Sequence, residues 1–235
     1  MEERHSMATE AQKLLAEYRR GKAALDARVV ENDQWYRLRH WQRMRPSGNP
    51  GDPDPASAWL LNCLLNKHAD AMDNYPEPVV LPREEGDRAD ATVLSAVLPV
   101  ILEQNGFEQT YSDMWWQKLK SGAGILGVFW NPSKQGGQGD VDVRRVDILN
   151  LFWEPGVTDI QDSRNVFHVE LRDNEDLLAR YPQLEGKLGQ GADRPQVYVY
   201  DDAIDTSKKS AMVDWYYKRD GLLHYAKIVN GEVLY

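Results

Sequence analysis

Three stretches of this chain carry residue types that do chemistry in other proteins. Gly122-Ala123-Gly124-Ile125-Leu126-Gly127 spells the G-x-G-x-x-G of dinucleotide binders. That fingerprint needs a strand before the glycines and a helix after them, so that a helix N-terminus faces the pyrophosphate. Here a helical pattern comes before and an extended pattern after, which reads as a helix stop and a close-packed strand start. His168-Val169-Glu170 has the H-x-E of zinc deaminases, whose metal site also needs P-C-x-x-C. The single cysteine, Cys63, lies far upstream, and His168 and Glu170 on one face of a strand read as a polar pair. Asp140, Asp142, Asp147, Glu154, Asp159 and Asp162 are of the type that gathers Mg²⁺ or Ca²⁺. They lack EF-hand spacing and a lysine placed as in a carboxylate–lysine nuclease, so they read as solvated loop and strand charges. No G-x-S-x-G, Walker A or nucleophile with an evident base is present. The expectation is no catalytic, cofactor-binding or metal residue, and no cofactor.

The other conspicuous groups are aromatic and basic. Trp35 and Trp41 stand among Arg28, Arg37, Arg39, Arg43 and Arg45, a mixture that would stack on and neutralise a nucleic acid. Asp26, Glu31 and Asp33 interrupt that charge, so a helix buttressing a neighbouring subunit is the preferred reading. Clustered Trp115, Trp116, Trp130 and Trp153 fit a core or a subunit interface. Truncating Trp130 to Ala would cost roughly 3–5 kcal/mol if the ring is buried.

At 235 residues with 42% hydrophobic residues, eight Trp and eleven Tyr, the composition is that of a folded chain with a sizeable core. The formal net charge of −9 gives no chain-wide case for wrapping nucleic acid. One cysteine excludes an internal disulfide framework, and its helix position predicts burial. No run approaches about 18 consecutive apolar residues, and the charged N-terminal residues contain no secretory h-region.

Periodicity predicts the elements that hold these groups. A helix covers 7–20, with Met7, Leu14, Leu15 and Tyr18 on a stripe, and Gly21 interrupts it before a second helical run over 22–44. The segment 45–56 carries four prolines and two glycines and must be loop. Ser57 caps a helix whose stripe is Leu61, Leu64, Leu65, His68, Ala69 and Met72. Asn74-Tyr75-Pro76-Glu77-Pro78 ends it. A helix from Asp87 to about Gln104 stops at Asn105-Gly106, with Pro99 expected to kink it, and another spans Phe107 to Lys120. Ile125–Trp130 and Val141–Ile148 form a hairpin, followed by strands at Phe167–Leu171, Gln196–Tyr200, Met212–Lys218 and Leu222–Val229. A short helix starts at Asp173 or Asn174. The fold class is α+β: N-terminal helices, then an antiparallel β-rich part. Asn230-Gly231 is a strong type I′ turn signal, yet only Glu232–Tyr235 follow. Such a short return strand leaves a long edge, and the chain is expected to be an N-terminal piece of something longer.

Read in order, these motifs resemble the N-terminal part of tailed-bacteriophage portal proteins, the head–tail connectors of short-tailed-phage type. The resemblance rests on Asp33-Gln34-Trp35, on the helix with Asn62, Asn66 and Lys67 ending at Asn74-Tyr75-Pro76-Glu77-Pro78, and on a Pro-Arg-Glu-Glu linker. It continues through a helix pair, Gly122-Ala123-Gly124 leading to Val128-Phe129-Trp130-Asn131-Pro132, Asp147-Ile148-Leu149-Asn150, and Trp153-Glu154-Pro155-Gly156 with Asp159 and Asp162. Arg180-Tyr181-Pro182 and Val213-Asp214-Trp215-Tyr216-Tyr217 complete it.

The resemblance implies the portal wing, with a mainly helical part over 1–122 and a β-rich part over 123–235. The chain would be truncated before the stem, most of the clip and the crown. It further implies a structural virion protein, not an enzyme, forming a ring of about twelve subunits at one capsid vertex. Implied partners are further copies of the chain, capsid, scaffolding and terminase proteins, tail or adaptor proteins, and double-stranded DNA passing without sequence preference; no membrane is involved. The implied location is the virion, and the host cytoplasm during assembly. Trp35, Trp59, Trp115, Trp116, Trp130 and Trp153 would then serve fold and interface. Two other readings stand beside it: a metal-dependent nuclease or nucleotidyl enzyme on the hairpin acids Asp140 and Asp142, and a monomeric virion adaptor.

Overall fold

A computed structural model describes residues 2–45, 51, 53, 55–188 and 207–235. The elements are α1 (Glu2–Tyr36), α2 (Trp41–Met44), α3 (Trp59–Asp73), α4 (Arg88–Gln104), α5 (Phe107–Ser121), β1 (Ile125–Asn131) and β2 (Asp140–Val146). They continue with β3 (Leu151–Trp153), β4 (Asn165–Asp173), α6 (Asn174–Arg180), β5 (Lys209–Arg219), β6 (Leu222–Val229) and β7 (Glu232–Val233). Helices followed by antiparallel sheets make this an α+β fold. Two compact units divide the chain, one of Met1–Glu31 with Ile148–Tyr235, the other Asn32–Asp147. Among the described residues no helix is long and apolar enough to cross a membrane.

The first unit is a five-stranded antiparallel sheet in the order β3-β4-β5-β6-β7. Because side chains alternate along a strand, one face presents the row Phe152, Phe167, Trp215 and Ala226 and, beside it, Val169, Val213, Ile228 and Val233. On this face α1 lays Ala8, Ala11, Leu15 and Tyr18. Spacing of three and four residues keeps those four on one stripe, and two alanines let the helix come close. The opposite face carries Met212 and Val229 against Leu177 of α6 and Leu184. Burial on both faces explains why β5 reads as a near-continuous apolar run rather than an alternating one.

The second unit is built around α5, which packs against α3, α4 and β2. Its side chains form an aromatic line: Tyr75 meets Tyr111 edge-on at 5.3 Å between ring centroids, Tyr111 meets Trp115 at 6.3 Å, and Trp116 stacks on His68 at 4.2 Å. Hairpin β1–β2 pairs in register from Ile125↔Val146 to Asn131↔Asp140.

Several local expectations need correction. The helix does not break at Gly21 but continues to Tyr36. A Cβ at Gly21 would stand 2.5 Å from Pro155 Cγ, so the glycine serves close packing rather than a stop. The second helical run to 44 is in fact the end of α1 and the separate turn of α2. Helix α3 is capped by Ala58 with no side-chain hydrogen bond, so Ser57 does not cap it. Cys63 is exposed; it lies two positions from Leu61, well off the Leu61–Leu64–His68–Ala71 stripe. The end of α4 at Gln104, with Pro99 inside the helix, is as expected. The strand expected at Gln196–Tyr200 lies outside the described residues.

Candidate interaction surfaces

The loop from β3 to β4 shows why Trp153-Glu154-Pro155-Gly156 has its sequence. Pro155 wedges against Gly21, and Gly156 takes φ +84°, which favours glycine. The Glu154 carboxylate receives the Arg164 guanidinium in a forked contact, Nε standing 3.0 Å from Oε2, while the Glu154 N–H donates to Ser163 Oγ at 3.0 Å. The Arg164 hydrogen bond holds the Glu154 carboxyl below the usual carboxylate range, and Glu154 in turn raises Arg164. Behind the loop, Asn165 Nδ2 donates to Tyr18 Oη at 3.1 Å and Asn165 Oδ1 accepts the Trp215 indole N–H at 3.0 Å. Burial pushes the Tyr18 hydroxyl up. A cavity of about 450 Å³ borders this network. Its cations are engaged: Arg164 with Glu154, Lys218 with the Gln161 carbonyl, Arg219 with Glu10. The arrangement locks a loop and offers no free anion site.

The hairpin acids are held in the same manner. Lys134 Nζ contacts Asp142 Oδ1 at 3.1 Å, Asn105 Oδ1 at 2.6 Å and the Val141 carbonyl at 2.9 Å. Asp140 accepts from Gln135 Nε2 at 3.1 Å and its pKa is lowered chiefly by that bond. Among the described residues no group of three or more His, Cys, Asp or Glu side chains converges to hold a metal. His168 Nε2 stands 3.6 Å from Glu170 Oε1, and Arg172 reaches Glu170 Oε2 at 2.6 Å, a polar cluster on the sheet. Gly122, at φ +86°, ends α5 directly before β1, the reverse of the dinucleotide order.

The tryptophans separate into two groups. Trp115, Trp116 and Trp153 are half-buried; Lys118 Nζ lies 3.9 Å from the Trp115 ring centre and Lys22 Nζ 5.9 Å from that of Trp153. Trp59 and Trp130 are 74% and 65% exposed, and Trp35 is 41% exposed and stacked on His40. Trp130 therefore does not sit in a core; its ring lies over Gly139 at the hairpin end. The full burial belongs to Trp215, at 2%, a position the sequence reading quoted only within a motif.

Three polar devices escaped the sequence reading. Asp33, 2% exposed, is paired with Arg37 Nε at 2.8 Å and Lys120 Nζ at 3.4 Å. Asp214, 5% exposed, meets Lys227 Nζ at 2.9 Å and accepts the Tyr225 hydroxyl at 2.5 Å. Asn105 binds both Lys134 and the Val143 N–H. Asp33 at i and Arg37 at i+4 was the one local signal among these; the rest depend on strand register and on residues 11 to 87 positions apart.

No curated protein matches the chain. The family model described as phage P22-like portal protein matches residues 69–231, which includes α4, α5, the hairpin, the Glu154 loop and strands β3 to β6 of the sheet. With more than half of its length matched, the chain belongs to the phage P22-like portal protein family.

Proposed function

We propose that this chain forms the peripheral wing of a portal subunit, with residues 1–122 as the mainly helical part and 123–235 as the β-rich part. Membership of the family makes it a structural component of a phage virion. In this reading the subunits close into a ring of about twelve at one capsid vertex, where the ring docks the terminase, passes double-stranded DNA and later holds the tail. The wing breaks no bond; ATP hydrolysis belongs to the terminase. The observation that carries the reading is the family match over residues 69–231. The net charge of −9 agrees with it, since each Lys or Arg contact to phosphate would add a salt-sensitive grip on DNA that has to slide. Exposed Trp59, Trp130 and Trp35 suit contact with neighbouring subunits, and half-buried Trp115, Trp116 and Trp153 support the fold.

The test is light scattering with negative-stain imaging of the purified chain across concentration and salt. Closed rings with a central hole are expected. A chain that stays monomeric at every concentration would overturn ring formation by this part and favour a monomeric virion adaptor.

A further inference from the structure

In the second unit, the end of α3, the linker 74–82 and the facing ends of α4 and α5 enclose an open groove of about 1100 Å³. Its apolar wall is made by Met72, Tyr75, Val79, Pro99, Leu102 and Phe107. Tyr75 and Phe107 lie with ring centroids 6.2 Å apart. The linker wall is pinned, because the Val80 N–H donates to Ser95 Oγ at 3.0 Å and Ser95 Oγ donates back to the Val80 carbonyl at 3.2 Å. The groove is thus preformed rather than a gap beside a loose strand.

Its charge is one-sided. Glu77, Glu103 and Glu108 line it together with no Lys, Arg or His, and among the described residues none of the three carboxylates makes an ion pair. The Tyr75 hydroxyl feels this: burial raises its pKa first and the Glu108 charge second. Two less exposed carboxylates of this unit are matched instead, Asp33 by two cations and Asp142 by Lys134. An apolar wall with unneutralised acids at its margin is complementary to apolar side chains flanked by cations.

The geometry points to a docking site for a basic amphipathic segment of a partner protein, whose apolar side chains lie against Tyr75, Leu102 and Phe107 while its Lys or Arg residues meet Glu77, Glu103 and Glu108. A second copy of this chain, at net charge −9, is a poor electrostatic complement. The site goes beyond ring formation and does not depend on it, since all of its residues come from one unit of one subunit.

The experiment is a fluorescence-anisotropy titration of the whole chain with a labelled helical peptide of Leu and Lys at amphipathic spacing. Two control peptides replace Lys by Glu or Leu by Ser. Saturable binding of the Leu–Lys peptide alone is expected, weakening as salt is added. In the Glu77→Gln/Glu103→Gln/Glu108→Gln variant it should weaken about tenfold, a factor of two or so for each exposed charge pair. An equal loss of charge in the first unit, Glu175→Gln/Asp176→Asn/Glu185→Gln, outside the residues that line the groove, should leave binding unchanged. The substitutions are on exposed side chains, and circular dichroism checks that both variants stay folded. Equal weakening by the two variants, or equal binding of the Ser–Lys peptide, would reduce the effect to general attraction and overturn the site. Absence of peptide binding, with self-association that the groove variant abolishes, would overturn it in favour of a second copy as occupant.

Discussion

Asn105, the residue that ends α4, accepts the Lys134 ammonium on its Oδ1 at 2.6 Å. The same oxygen accepts the Val143 N–H at 3.2 Å, and its Nδ2 donates to the Ile101 carbonyl at 2.7 Å. One side chain therefore caps a helix and fastens a hairpin. Asn105→Ala leaves a strand N–H and a lysine short of an acceptor and should cost about 2 kcal/mol, the cost of unmaking a charged and a neutral hydrogen bond together. A urea midpoint within error of wild type would refute that role.

Gly21→Ala separates intrinsic helix preference from packing. In a free helix the change would stabilise by roughly 0.8–1.0 kcal/mol. Here the new methyl would stand 2.5 Å from Pro155 Cγ, and overpacking of that kind costs typically 1–3 kcal/mol. Net destabilisation is expected, and it should be relieved when Pro155→Ala is added. Stabilisation by Gly21→Ala alone would show that the loop yields freely.

Trp215→Ala and Trp130→Ala should differ widely. Trp215 is 2% exposed, stacked on Phe167 at 5.7 Å and bonded to Asn165, so its loss should cost about 3–5 kcal/mol. Trp130 is 65% exposed, and its loss should fall near the ±0.5 kcal/mol or so of ordinary surface substitutions. Thermal melts of the two variants give the comparison directly.

The contrast shows what was legible in the sequence. Turn chemistry was: Asn105-Gly106, Gly122 and Asn230-Gly231 all fall where elements end, and Asn230 and Gly231 have φ of +47° and +79°, as a type I′ turn requires. The change from helical to extended period after Gly122 located the hairpin for the same local reason. Tryptophan burial was not legible, because Trp130 in an alternating strand and Trp215 in a nearly continuous one differ by what covers them, which distant residues decide. Gly21 was misread since propensity says nothing of a proline 134 positions away. Cys63 was placed on the apolar face of its helix, whereas its phase turns it to the exposed side.

Acid should loosen the Glu154 loop. The Glu154 carboxyl is held below its ordinary range by Arg164, so the folded state binds its proton less readily than the unfolded chain does. The stabilisation is therefore complete above the unfolded pKa and is lost as pH falls through the folded one. Glu154→Gln should flatten this acidic part of the stability–pH curve and leave the neutral-to-alkaline part unchanged in shape. Parallel curves for the two proteins across the acidic range would refute the assignment.

The two-sided burial of β5 sets which kinds of genetic change the sheet survives. Trp215 and Val213 face α1, whereas Met212 faces α6. An inserted or deleted codon within the strand would turn every later side chain to the opposite face, carrying Asp214 and its Lys227 pairing into the aromatic layer. The strand is therefore open to exchange of like for like but closed to changes in length. The hairpin loop 132–139 has no such parity to keep, and length variation among related chains should collect there.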